Sequence, residues 1–177
     1  MTPRQQRIAG LIRSIPDFPQ PGVQFKDITP LLGSPSGFQW AIEDMVEALP
    51  SDVDVVCGVE SRGFIFGAPM ALALNVGFVP IRKPGKLPYD VLAQDFELEY
   101  GSGVLNMHVD AVKPGQRVLL VDDLLATGGT LVGAKQLIER AGGTLAHVSV
   151  LVELIALGGR ARLAEADSTS VTASVVY

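Results

Sequence analysis

Apolar residues along this chain fall into two rhythms. Short, nearly continuous runs rich in β-branched residues occur at 53–59 (VDVVCGV), 76–81, 118–121 and 146–152. Such runs read as strands buried on both faces. Between them lie stretches with apolar residues three or four apart: 64–74, and then Leu131, Ala134, Ile138 and Ala141. That spacing places one face of a helix inward. Two further helices are expected, over 3–14 with Ile8, Leu11 and Ile12 inward, and over 37–49 with Phe38, Ile42, Met45, Val46 and Leu49 inward. Residues 95–109 alternate, with Phe96, Leu98 and Tyr100 on one face and Glu97 and Glu99 on the other. Gly101-Ser102-Gly103 then turns the chain, which predicts a β-hairpin with His108 at its surface. Residues 14–29 hold three prolines and are expected to be extended. From 158 onward a short helix and a last strand are predicted. Strands alternating with helices give an α/β fold, a parallel-rich open sheet flanked by helices.

The candidate chemistry lies where strands end, because ligands of open α/β sheets sit outside the carboxyl ends of the strands. The fullest case is 117–130, RVLLVDDLLATGGT. An apolar strand at 118–121 runs into Asp122 and Asp123, then into a loop of small residues, then a helix. Gly128 and Gly129 permit a tight bend, Thr127 and Thr130 add hydroxyls, and the helix start favours an anion. The two carboxylates would repel bare phosphate. They suit neutral hydroxyls, or a metal held between them and the ligand. A phosphate beside a diol describes a sugar phosphate. The loop has no GxxxxGK[ST] and no GxGxxG, which removes the P-loop and dinucleotide readings.

VLLVDDLLATGGT resembles the phosphoribosyl pyrophosphate (PRPP) motif of type I phosphoribosyltransferases. The flanking segments resemble those of the adenine-specific members, and the resemblance runs from about residue 7 to 163. It implies transfer of ribose 5-phosphate from PRPP to adenine, giving AMP and pyrophosphate in purine salvage. It also implies a Mg²⁺ cofactor held mainly through PRPP, a homodimer, and a single domain with a small hood from about 15–30 and 83–109. Asp122, Asp123 and the 126–130 loop (Ala126, Thr127, Gly128, Gly129, Thr130) correspond to the PRPP site. PGVQFKDI resembles the adenine segment, placing Gln24, Phe25 and Lys26 at the base, largely through main-chain groups with the Phe25 ring against the purine. Glu60-Ser61-Arg62-Gly63 resembles the pyrophosphate loop, in which the family also uses Asp where Glu60 stands. There the Arg62 fork and the backbone of Ser61 and Gly63 would meet phosphate oxygens. RKPGKLP resembles the start of the hood and brings Lys83 and Lys86. LEYG brings Glu99, a candidate for handling the purine proton, and Tyr100, which helps close the hood. Taken alone, Glu99 reads as a surface glutamate; Arg62, between Ser61 and Gly63 at a strand end, points to an anion, and the 82–86 cations, at a strand end of an acidic chain, fit anion binding at least as well as a solvated basic turn.

Bulk properties narrow the partners. The 177 residues carry a net charge of −5, with 47% hydrophobic and 19% charged positions. That balance gives no general attraction to nucleic acid or anionic membrane, so any anion site must be local. One cysteine, Cys57, excludes an internal disulfide and suits a reducing cytoplasm; mid-strand, it reads as packing. The start of the chain has Arg4, Arg7 and Arg13 without an apolar core, unlike a signal peptide. Residues 63–81 lack charge but contain Pro69, Asn75 and Pro80, which divide them into a helix and a strand rather than a membrane span. Two other functions stay open on these residues: a phosphoribosyltransferase for hypoxanthine, guanine or orotate, and a regulator that keeps the PRPP fold. The base segment favours adenine, and no added nucleic-acid module or basic face supports the regulator.

Overall fold

A computed structural model describes residues 1–49, 52–97, 101–164 and 169–177. Its centre is a five-stranded parallel sheet in the order β4-β3-β7-β8-β9. The strands are β3 (Val55–Val59), β4 (Gly77–Ile81), β7 (Arg117–Leu125), β8 (Thr144–Glu153) and β9 (Val171–Val176). Right-handed crossovers are the rule for such parallel neighbours, and here helices make the connections. They are α4 (Arg62–Leu74) between β3 and β4, α5 (Gly129–Arg140) between β7 and β8, and α6 (Gly159–Ala164) before β9. Helices α1 (Pro3–Gly10), α2 (Thr29–Leu32) and α3 (Pro35–Glu47) precede the sheet.

Both faces of the sheet are buried, as continuous apolar strands require. Cys57, Leu120 and Val150 pack under Leu131, Ala134 and Ile138 of α5. Val56, Leu119 and Leu151 face Ile8, Met45, Phe66 and Met70 of α1, α3 and α4. Burial pushes the Cys57 thiol up to about 12, so it stays a neutral packing group. Among the described residues no helix is long and apolar enough to cross a membrane.

Two antiparallel ribbons stand apart from the main sheet. One pairs β1 (Arg13–Ile15) with β2 (Phe25–Asp27); the other pairs β5 (Val91–Glu97) with β6 (Ser102–His108). Four expectations shift here. The first helix ends at Gly10 instead of 14, because Arg13 to Ile15 pair with β2. The hairpin begins at Val91, four residues before the expected 95, and Ser102 and Gly103 belong to its second strand. His108, expected at the hairpin surface, has its Nε2 buried and its ring edge-on to Tyr89. Most consequentially, β7 does not stop at Val121. It continues through Asp122 and Asp123, with Leu124 and Leu125 paired to Val152 and Glu153 of β8.

His147 on β8 is fully buried, with Nε2 2.9 Å from the Thr172 hydroxyl. Burial, aided by the charge of Arg160, lowers its pKa to about 4. An unfolded histidine titrates near 6.5, so the unfolded chain takes up more protons between those values. The neutral imidazole therefore contributes its full stability above pH 6.5, and this is lost as pH falls toward 4, by on the order of 3 kcal/mol. Urea unfolding of the wild type and His147→Gln at pH 7.5 and 5.0 checks this. The wild type is expected to lose more stability on acidification than the variant; equal losses would contradict it.

Candidate active site

The carboxyl ends of β3 and β7 lie side by side, and the site grows from that pairing. Gly63, in the first turn of α4, rests directly on β7: a methyl group there would fall 2.6 Å from the Val121 carbonyl oxygen. This close approach brings Arg62 to Asp123, with Nε 3.0 Å from a carboxylate oxygen. Asp123 is 4% exposed. Asp122 accepts from the Asp123 N–H at 2.9 Å. Burial raises both carboxyls, and Asp122 most, since the neighbouring Asp123 charge adds to its burial; the Arg62 charge partly restrains Asp123. Two largely desolvated carboxylates side by side favour ligands that donate hydrogen bonds, such as a pair of hydroxyls.

Two hollows share Arg62, Asp122, Asp123 and Thr130. One, of about 370 Å³, is walled by Leu124 and the Ala126–Thr130 loop. The other, of about 470 Å³, runs under Glu60, Ser61 and Lys83 to Ser102, Val104 and Leu105 of the hairpin. The first offers small residues and the start of α5, the second a cation and a polar turn. A phosphate suits the first and a diphosphate suits the second, with the carboxylates between them.

Gly128 and Gly129 line the first hollow and are also pressed against neighbouring backbone. Gly128 has φ +82°, and a methyl there would fall 2.8 Å from the Gly159 carbonyl oxygen. A methyl on Gly129 would lie 2.0 Å from the carbonyl oxygen of Glu97. The loop is thus wedged between the start of α6 and the hairpin, and the missing side chains make room for protein backbone. The hairpin is itself docked on α5. Phe96 covers Gly133, and Arg140 donates to the Ala93 carbonyl at 2.6 Å. Gly159 and Leu124 join the site with no expectation from the sequence, and Glu97 and Phe96, expected only as hairpin faces, join it too. Only the Gly158-Gly159 pair left a local trace.

Glu60 holds the basic turn in place. Its carboxylate accepts from the Lys83 N–H at 3.0 Å and from Arg82 at 3.2 and 3.3 Å. The Lys83 backbone bond, followed by the Arg82 contact, holds the Glu60 pKa below the usual carboxylate value. Lys83 lines the second hollow. Lys86 is not brought into either hollow: its side chain is exposed and its carbonyl accepts from Arg82 at 3.0 Å.

The β1–β2 ribbon reaches the site through Phe25, whose ring centroid is 5.8 Å from the Arg62 guanidinium carbon. Lys26 points elsewhere, onto Tyr177, so only its main chain is available to a base. Gln24 precedes β2 in the same segment. Asp27 is structural. It accepts from the Thr29 N–H at 2.9 Å, the Thr29 hydroxyl at 2.7 Å and Arg13 at 2.6 Å, and its pKa falls to about 2, chiefly through the Thr29 backbone bond. Glu99 and Tyr100 lie outside the described residues.

Comparison with known proteins decides the family. A model of the phosphoribosyl transferase domain matches residues 38–173. The adenine phosphoribosyltransferase of Cutibacterium acnes is 57% identical over 98% of this chain and 98% of its own length. That of Thermobifida fusca is 57% identical over 88% and 89%. The chain belongs to the adenine phosphoribosyltransferase family. Solved adenine phosphoribosyltransferases carry the same fold. The structure from Thermoanaerobacter pseudethanolicus superposes with a TM-score of 0.93 at 46% identity, covering 98% of this chain and 99% of that one. The Saccharomyces cerevisiae structure, at 37% identity and TM-score 0.89, covers 97% and 98% and is a complex with an imino-altritol bisphosphate and adenine.

Proposed function

We propose that this adenine phosphoribosyltransferase family member transfers ribose 5-phosphate from PRPP to adenine, giving AMP and pyrophosphate, in purine salvage. Arg62 carries the reading. One side chain bridges Asp123, at the diol position, to Phe25, in the segment that resembles an adenine slot. Sugar and base sites therefore meet at a single cation.

The C1–pyrophosphate bond breaks with positive charge developing on the sugar, and N9 of adenine bonds to C1. Asp122 and Asp123 accept from the two ribose hydroxyls and fix the ring. Ala126 to Thr130 receive the 5′-phosphate at the start of α5. Arg62, Lys83 and the Ser61 backbone take the departing diphosphate, with Lys86 adding positive potential from outside. Phe25 offers one face to the purine, Leu124 supplies an apolar wall nearby, and the main chain of Gln24 and Lys26 meets the base edge. Glu99 takes the N9 proton, and Tyr100 with the hairpin excludes water that would otherwise capture the cation.

Among the described residues no group of three or more His, Cys, Asp or Glu side chains could hold a metal ion. The Asp122–Asp123 pair fits a Mg²⁺ that would arrive on the diphosphate, since Mg²⁺ commonly takes one or two carboxylates and substrate phosphates. Asp122 and Asp123 would offer it carboxylate oxygens, and the ion would neutralise the leaving group. A homodimer in the cytoplasm is the assembly and location proposed with this activity, the latter supported by a buried, unpaired Cys57.

The test of the reaction is its balance. With adenine, PRPP and Mg²⁺, AMP and pyrophosphate should appear in equal amounts. Pyrophosphate with free ribose 5-phosphate and no AMP would make the chain a PRPP hydrolase instead. The turn held by Glu60 gives a narrower test. Glu60→Gln is expected to raise the KM for PRPP by about three- to tenfold, with a smaller change in kcat, because Lys83 loses a charge-assisted anchor. An unchanged KM would remove Lys83 from the diphosphate.

A further inference from the structure

The β1–β2 ribbon has three paired positions on each strand, too few to hold its place unaided. Its adjacent residues point to opposite sides, as in any strand. Phe25 meets Arg62 on one side. Lys26 projects from the other side, with its ammonium 3.5 Å from the centroid of the Tyr177 ring and 2.9 Å from the Ser14 hydroxyl. Tyr177 is a fixed post. Its N–H donates to the Glu153 carbonyl at 2.9 Å, and its own carbonyl accepts from Ile155 at 3.0 Å. Glu153 is 4% exposed and clasped by Arg160, with Nε 2.9 Å from its carboxylate. The end of β8 is thus rigid where Tyr177 is tied to it.

We propose that Tyr177 is a positioning residue for the base slot, its ring holding Lys26, and through Lys26 the main chain of residues 24–26, at a set height above Arg62. The inference rests on the adenine reading of that segment. Tyr177 lines none of the hollows around Asp122 and Asp123, so its effect should reach the base and leave the sugar phosphate untouched. A cation over an aromatic face is held by the ring's quadrupole, so phenylalanine can replace tyrosine and alanine cannot.

The experiment is steady-state kinetics of the full chain with Tyr177→Ala, Tyr177→Phe, Lys26→Met and the Tyr177→Ala/Lys26→Met double variant. Tyr177→Ala is expected to raise the KM for adenine about five- to tenfold, with the KM for PRPP and the melting temperature close to wild type. Tyr177→Phe should restore the adenine KM. The double variant should be no worse than either single one, since both remove the same contact. An unchanged adenine KM in Tyr177→Ala overturns the proposal, and so does a parallel rise in both KM values with a fall in melting temperature. A wild-type chain that makes no AMP would instead bring down the functional reading on which the proposal stands.

Discussion

Asp123→Asn is expected to lower kcat/KM for PRPP by about 10²- to 10³-fold, the scale on which losing a preorganised polar group acts in an active site. The side chain is almost fully buried, so water cannot substitute for the missing charge. An amide presents a donor where the wild type presents only acceptors, and one ribose hydroxyl loses its partner. Arg62 loses the anion that fixes its Nε, which loosens the hold on the diphosphate and the contact with Phe25. The fold should not suffer. Burial raises both carboxyls, which disfavours their charged forms, and a neutral amide at Asp123 removes part of that cost. Kinetics and thermal melting together check this. Lost activity with an equal or higher melting temperature is the expected pattern. Near wild-type kinetics would take Asp123 out of the sugar site.

Gly129→Ala is expected to be nearly as damaging, for a different reason. Its methyl would lie 2.0 Å from the Glu97 carbonyl oxygen, a clash of backbone against side chain that no rotamer can relieve. Either the hairpin lifts or the loop retreats into the space of the 5′-phosphate. Phe96 on Gly133 and the Arg140 bond to Ala93 resist the first, so the loop takes much of the strain. A loss of about 10²-fold in kcat/KM for PRPP is expected, with roughly 2–3 kcal/mol of destabilisation, as for other overpacked positions. Wild-type kinetics would show that the hairpin moves off the loop freely.

The layered α/β plan was legible because the parallel strands are apolar on both faces and their helices keep a clean inward stripe. What the sequence understated was strand length. Aspartate is disfavoured in strands, so the local pattern ends β7 before Asp122; pairing of Leu124 and Leu125 with β8 carries it on. The short first helix had a local sign, since Pro16 biases Ile15 toward extended backbone, and pairing with β2 then takes Arg13 to Ile15.

In the site, the aspartate pair, Arg62 and the small-residue loop could be named from residue type and position after a strand. Their partners could not. Gly129 meets Glu97 from 32 positions earlier and Gly128 meets Gly159 from 31 positions later, contacts that no local pattern records. The direction of Lys26 was hidden for the same reason. Its partner Tyr177 lies at the far end of the sequence, so a residue placed at the base by its motif contributes only main chain there. Lys83 and Lys86 looked equivalent in RKPGKLP. Glu60 separates them by anchoring the Lys83 backbone at the second hollow.

The most direct measurement is nucleotide formation by the purified chain from PRPP and Mg²⁺ with adenine, hypoxanthine, guanine or orotate in turn, separated by chromatography. The account predicts AMP from adenine and no appreciable nucleotide from the other three. A nucleotide formed in preference from another base would leave the sugar-phosphate site standing and contradict the base slot at residues 22–28. No nucleotide from any base, with PRPP still bound, would contradict the transferase and put a PRPP-binding regulator in its place.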